Sequence, residues 1–494
     1  MISWTGVVLC ATAGLAAPRF VVSELRPSFE IEGYWVASLD ADSRPDFLVS
    51  GSDPRGRSLT IYRQNSEGRF SSTDSRTIRL KKDIIAFSLL ELRTEPGVDL
   101  LFFTRSSAFS FDSARESFAR NAKRVWSGEF LFDIPDDEKV LHWAGEGAAN
   151  EFLVPTLRSY EVVRVRNDAS FEVIGRLPVG DSRGDSEQRK TERRRRIREQ
   201  RRGGDFSIQI GGRTDDALPD RGLLSGNGSS ILKSETWLPS AHFARLDGDA
   251  RDDLVVLASS DESRRVRVHL QRANGKFLES EDFEGELEGK GPVWLLDYDG
   301  DGVSEIVVGD PRGRGEQRFR FYENTGSRFD FSKPALVLKF EGYGVTPSLA
   351  DLDGDGKVEF VVVKYSISKL DALRGGKVQR DVLVYTPDGK GAFRRRPSAV
   401  YRESFDAGGF RGLGSRVRFD VEISAVGRRD LTLVERDGSI SARRFEGRAF
   451  SAEPFWSYLP SRRIREYRVL PLGSNERSGI VLEHESSLSV IVFQ

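Results

Sequence analysis

The sequence predicts an all-β chain: an eight-bladed β-propeller of four-stranded blades, closed by its own N-terminal strand. Three observations predict it. One strand-rich motif recurs eight times at a nearly constant spacing, each copy is followed by alternating strands with Gly, Asn and Asp turns, and the two ends of the chain complement one another.

The motif is clearest in LLDYDGDGVSEIVVGD (Leu295 to Asp310) and SLADLDGDGKVEFVVV (Ser348 to Val363). Weaker copies are SLDADSRPDFLVSGSD from Ser38 and ARLDGDARDDLVVLAS from Ala244. The last acid of each loop marks the register: Asp46, Asp253, Glu305 and Glu359, with degenerate copies at Asp99, Glu151, Asp430 and Gly479. Successive markers differ by 53, 52, 102, 52, 54, 71 and 49 residues, so one supersecondary unit repeats and the 102-residue gap holds an insertion. Alternating third strands follow, such as SLTIYR, RVRVHL, DVLVYT and SLSVIVF, and GRF, GKF, SRF or GAF then reads as a fourth. The blades are expected near 35–75, 84–119, 139–178, 240–283, 292–337, 345–396, 418–456 and 466–494, as one domain over residues 18–494. The eighth repeat stops after its third strand, and Arg19 to Leu25 is read as the missing fourth, which removes the open sheet edges.

Met1 to Ala17 reads as a signal peptide, apolar from Val7 to Leu15, which implies an exported protein: periplasmic, cell-surface or secreted. Nothing later is apolar for the 18 or so residues that a membrane helix needs. Cys10 is the only cysteine and lies in that leader, so no disulfide braces the mature chain. With 75 basic and 76 acidic residues the chain has no global pull toward nucleic acid or membrane.

The acidic loops supply a different brace. Asp297, Asp299, Asp301 and Glu305 fall at positions one, three, five and nine of a loop, with the Val303 carbonyl at seven. Asp351, Asp353, Asp355 and Glu359 repeat the pattern with Lys357 at seven. Hard oxygen ligands at this spacing suit Ca2+, and four carboxylates within nine residues repel one another without a cation. Loop one aligns Ser38, Asp40, Asp42, Arg44 and Asp46, a weaker set. At least two calcium ions are expected, and a third at loop one. In loop four Arg245 takes position one and in loop two Arg93 sits among Glu91, Glu95 and Asp99, where a guanidinium can replace the ion.

These loops and their period resemble the FG-GAP or VCBS repeats of integrin α-subunit propellers and of many secreted bacterial proteins. The resemblance implies calcium in loops between the first and second strands of a blade, on one face of the disc, and ligand on the other. It also implies a broad range of functions: adhesion, glycan binding and some polysaccharide lyases.

The long departures from the period map to the second face: the insertion at 180–230, expected to be flexible, Ser366 to Gln379, and Arg402 to Arg416. The insertion carries RKTERRRRIREQRR (Arg189 to Arg202), which would attract a polyanion. Tyr34, Trp35, Trp143, Trp237, Trp294 and Tyr343 lie at first strands, where core packing is the expected role and sugar stacking the alternative. The four histidines form no metal-ligand spacing, and no nucleophile elbow or phosphate loop occurs. The expectation is a monomeric, calcium-stabilised module that binds a glycan or protein ligand; the alternative is a lyase-like propeller enzyme acting on polysaccharide.

Overall fold

The computed structural model describes residues 18–494 apart from 41, 43, 91, 93–96, 112–122, 129–140, 143–150, 157–158, 167–169, 179–239, 260–262, 290, 313–315, 325–329, 368–376, 389–391, 407–416, 426, 436 and 474–477. The leader, the basic run 189–202, Trp143, Trp237 and the Arg93 substitution lie outside the described residues.

Thirty-two strands form eight sheets, and among the described residues there is no helix. Blade one comprises Glu30–Ala37, Asp46–Asp53, Gly56–Gln64 and Phe70–Arg79, each antiparallel to the next. Blades four to seven repeat this order, and in each the acidic loop joins the first strand to the second. The second strand lies inside the sheet and is covered on both faces by neighbouring blades. It therefore reads as a continuous apolar run rather than an alternating one: Asp99–Phe103 and Glu151–Pro155 are buried at every residue.

The ring can be followed through its core. Apolar clusters join blade one to two, two to three and four, four to five, five to six, six to seven, seven to eight and eight back to one. The seam is the predicted one. Phe20–Leu25 pairs antiparallel with Leu488–Phe493 from Phe20↔Phe493 to Leu25↔Leu488, and the Gln494 N–H donates to the Arg19 carbonyl at 2.9 Å. Polar contacts brace it inside: the Ser489 hydroxyl donates to Glu24 Oε1 at 2.6 Å and lies 2.7 Å from His484 Nε2.

Three details differ from expectation. First, Leu141–His142, the first strand of blade three, pairs in parallel with Ala86–Phe87 of blade two, leaving three strands in its own sheet. Innermost strands all run the same way along the axis, so two that touch must pair in parallel. Second, the Phe of the GKF and GAF segments precedes the fourth strand. Phe277 and Phe393 are buried before Phe283–Glu288 and Ala399–Asp406 begin, and Phe393 packs on Tyr298, Phe321 and Phe360 at 5.2 to 5.9 Å. The residue is a plug between blades, because a large ring at the turn buries more apolar surface facing the neighbour than it would along an outer strand. Third, the strands flanking blade six's long connection run to Ile367 and from Lys377, so the connection is 368–376.

The described first-strand aromatics are core residues. Tyr34 and Trp294 are buried, and Trp35 packs edge-on against Phe87 at 4.9 Å.

Candidate metal centre

Five of the loops, one and four to seven, are built round one buried carboxylate. The acid at position nine opens the second strand, or in blade seven stands third in it, and turns back to accept the backbone N–H of position two. The pairs are Asp46 with Leu39 (3.1 Å), Asp253 with Leu246 (2.9 Å), Glu305 with Tyr298 (3.1 Å), Glu359 with Leu352 (2.8 Å) and Asp430 with Ile423 (3.1 Å). Position two is itself core: Leu39, Leu246, Tyr298 and Leu352 are all buried. The position-nine acid thus satisfies a buried donor in blades with and without the other acids. This accounts for Asp430, which keeps that contact where the acids of positions three and five are gone.

Neighbouring loops are stitched into one rim. The N–H of position eight in one blade donates to the position-one carbonyl of the previous blade: Val98 to Ser38, Ser304 to Arg245 and Arg429 to Asp351, each at 2.7 Å. Loops five and six touch, since a Cβ on Gly300 would lie 3.9 Å from the Gly356 carbonyl oxygen.

In loops five and six the acids converge. Asp297 accepts the N–H groups of Gly300 (2.7 Å) and Gly302 (2.8 Å), and Asp351 those of Gly354 (2.6 Å) and Gly356 (2.9 Å). All four glycines have φ between 81° and 89°, the left-handed region that only glycine enters readily. Asp299 and Asp353 each accept one N–H from position five, and Asp301 and Asp355 each accept the N–H of position seven, Val303 or Lys357. One carboxylate oxygen from each of Asp297, Asp299 and Glu305 lies within 4.8 Å of the others, and the same holds for Asp351, Asp353 and Asp355. Asp301 and Glu359 stand outside these triplets but belong to the same loops.

The electrostatics are those of acids lacking a counter-charge. Burial first, then the neighbouring aspartates, push Glu305 and Glu359 up to about 8 against the pull of their N–H partners. Burial and neighbouring carboxylates raise Asp299 and Asp353 as well. Glu359 Oε1 is buried with no hydrogen-bond partner, an uncompensated acceptor at the base of loop six. All-oxygen donors, a left-handed glycine pair and an orphaned carboxylate oxygen fit a hard divalent cation.

Elsewhere the loops are different. In loop one the Ser38 hydroxyl points to the Asp40 carbonyl (3.3 Å), Arg63 lies 3.8 Å from Asp40, and the Arg44 guanidinium pairs with Asp42. In loop four Arg245 pairs with Asp252 at 3.7 Å rather than with Asp247, Asp249 or Asp253, and the guanidinium that reaches Asp249 is that of Arg251. Arg245 is the more exposed of the two, whereas Arg251 is also held by its Nε, which donates to the Gln271 carbonyl at 3.2 Å.

These loops carry a pH prediction. Asp46 and Asp253 are pushed up to about 7 by burial, and Glu305 and Glu359 to about 8. A raised carboxyl keeps its proton in the folded chain after the unfolded chain has lost it. The stability it contributes is full below about pH 4 and is lost as pH rises through 7 to 8. In chelator, the urea midpoint should therefore fall between pH 6 and pH 9, and calcium should suppress the part due to Glu305 and Glu359. A midpoint that rises with pH in chelator would contradict this.

The FG-GAP-like repeat model matches residues 245–308 and 297–362. Both matches begin at position one of an acidic loop, in blades four and five, and end within the next blade's second strand. No curated protein matches the chain.

Proposed function

We propose that this FG-GAP-repeat propeller is an exported binding module, braced on one face by calcium in loops five and six and engaging a glycan or protein ligand on the other. The observation that supports it most is the pair of carboxylate clusters in adjacent loops, with Glu359 Oε1 buried and unpartnered in one of them. Asp297, Asp299, Asp301 and Glu305 would hold one ion, and Asp351, Asp353, Asp355 and Glu359 the other, with the carbonyls of Val303 and Lys357 completing the sets. A bound cation there neutralises the mutual repulsion of the acids and ties the first strand of a blade to its second.

Strand direction supports the choice of the opposite face for the ligand. Acidic loops join first strands to second, so connections from second to third strands and from one blade to the next open on the opposite side. Segments 179–239, 368–376 and 407–416, the long interruptions of the period, all join strand ends of that side. Long loops on a rigid scaffold are where binding sites develop. Among the described residues no helix is long and apolar enough to cross a membrane.

A glycan array probed with and without calcium tests this reading. Binding that survives Asp299→Ala with Asp353→Ala at a temperature where the variant stays folded would place the ligand away from the metal face. Unsaturated products from acidic polysaccharides would make the protein a lyase instead. Replacing Ser186–Arg202 by a short Gly/Ser linker should leave folding intact, because loop closure depends weakly on length. The same change should weaken retention on heparin and flatten its salt dependence, since exposed basic charge acts through screened attraction. Unchanged retention and salt response would remove the basic run from the site.

A further inference from the structure

We infer that loops one, four and seven carry an arginine at position seven as a built-in cation, and that among the described loops five and six are the ones left to take a metal ion. The inference deepens the calcium reading by assigning which loops it covers.

Arg44, Arg251 and Arg428 occupy the same register position, two residues before the buried acids Asp46, Asp253 and Asp430. Their guanidinium groups reach the same place. Arg44 Nε donates to the Gln64 carbonyl at 3.0 Å, Arg251 Nε to the Gln271 carbonyl at 3.2 Å, and Arg428 Nη2 to the Phe445 carbonyl. The three carbonyls are equivalent by sheet register. Phe47, Leu254 and Leu431, which follow the buried acids, pair with Tyr62, His269 and Arg443, and Gln64, Gln271 and Phe445 each lie two residues further on. One side chain therefore ties the acidic loop to the end of the third strand in three separate blades.

In loops one and four the arginine also neutralises an acid that a metal would need. Its own N–H donates to Oδ1 of the position-five aspartate, at 2.9 Å to Asp42 and 2.8 Å to Asp249, while its guanidinium grips Oδ2. Both oxygens of that carboxylate are thus engaged by one residue, a charge-assisted fork that a calcium ion would have to displace. Loop seven has gone further: Ser424 and Val426 stand at positions three and five, and Arg428 Nε donates instead to the Leu352 carbonyl of the neighbouring loop at 3.1 Å. Loops five and six have Val303 and Lys357 at position seven, and Lys357 forms no ion pair among the described residues. They are also the loops with glycine at both positions four and six, whereas loop four has Ala250 and loop one Ser43 at six. The third, weaker site expected at Asp40 is replaced in this account by Arg44.

Calcium stoichiometry by equilibrium dialysis on the mature chain tests it. Wild type should bind two ions. Arg44→Val, which unlocks Asp42 while keeping Ser38, Asp40 and Asp46, should bind one more, with a Kd of roughly 0.1–1 mM as in other extracellular sites. Asp42→Asn should leave the wild-type number unchanged, and this variant decides the matter if Arg44→Val does not fold. An Arg44→Val protein that folds without gaining an ion, or an Asp42→Asn protein that loses one, overturns the inference. If wild type binds no calcium, the reading of loops five and six fails, while the gain or absence of an ion in Arg44→Val still judges the arginine.

Discussion

Deletion of Arg19–Leu25 is expected to lower the melting temperature by on the order of 10 °C and to destroy single-step unfolding. The segment contributes the outer strand of blade eight, and its Phe20, Val22 and Leu25 enter the clusters that join blade eight to blades seven and one. Leu25 is fully buried and Phe20 packs edge-on against Trp456 at 5.7 Å. Side chains of this kind stabilise by about 1.5–3 kcal/mol when fully buried, so full burial of Leu25 with partial burial of Phe20 and Val22 gives roughly 5 kcal/mol. Removal also exposes Leu488–Phe493, an all-buried strand, as an open edge, and aggregation on heating should follow. Scanning calorimetry of the truncated chain checks this; an unchanged melting temperature would mean that the seam is not a structural closure.

Calcium removal should have the second large effect. An ion that binds only the folded chain stabilises it by about 2.7 kcal/mol when present at a hundred times its Kd, so two sites give about 5 kcal/mol. Chelator should lower the melting temperature of wild type by several degrees, and Asp299→Ala with Asp353→Ala should abolish most of that difference. A double variant that remains as sensitive to chelator as wild type would place the calcium dependence elsewhere.

Much of this was legible in the sequence because the loop acids set a register. Asp297, Asp351 and their followers sit at two-residue spacing between apolar runs, and strand pairing then follows from length and turns. The acid at position nine was visible but its role was not: it reads as a ligand, yet Asp253 and Asp430 show that it first satisfies the N–H of position two. The arginine lock was present in the aligned copies, since Arg44, Arg251 and Arg428 share a column. It was hidden because position seven of such a loop is ordinarily read for its backbone carbonyl, and Arg245 offered a more obvious charge. Arg251 prevails by reach: its Nε meets a carbonyl at the end of the third strand, a contact that depends on sheet register and not on spacing within the loop. The Phe plugs misled for a related reason. Phe277 and Phe393 each follow a glycine by two residues in the sequence and so resemble strand starts, but what places them is burial against the adjoining blade. The parallel contact of Leu141–His142 with blade two had no local signal, because it arises from how two blades meet at the axis.

Crystals grown with calcium and measured for anomalous scattering report ion positions without reference to stability or ligand. Two peaks are expected on one face, one among Asp297, Asp299 and Glu305 and one among Asp351, Asp353 and Asp355, with none beside Arg44 or Arg251. Empty loops five and six at millimolar calcium, or a peak at Asp40 and Asp42, would contradict this.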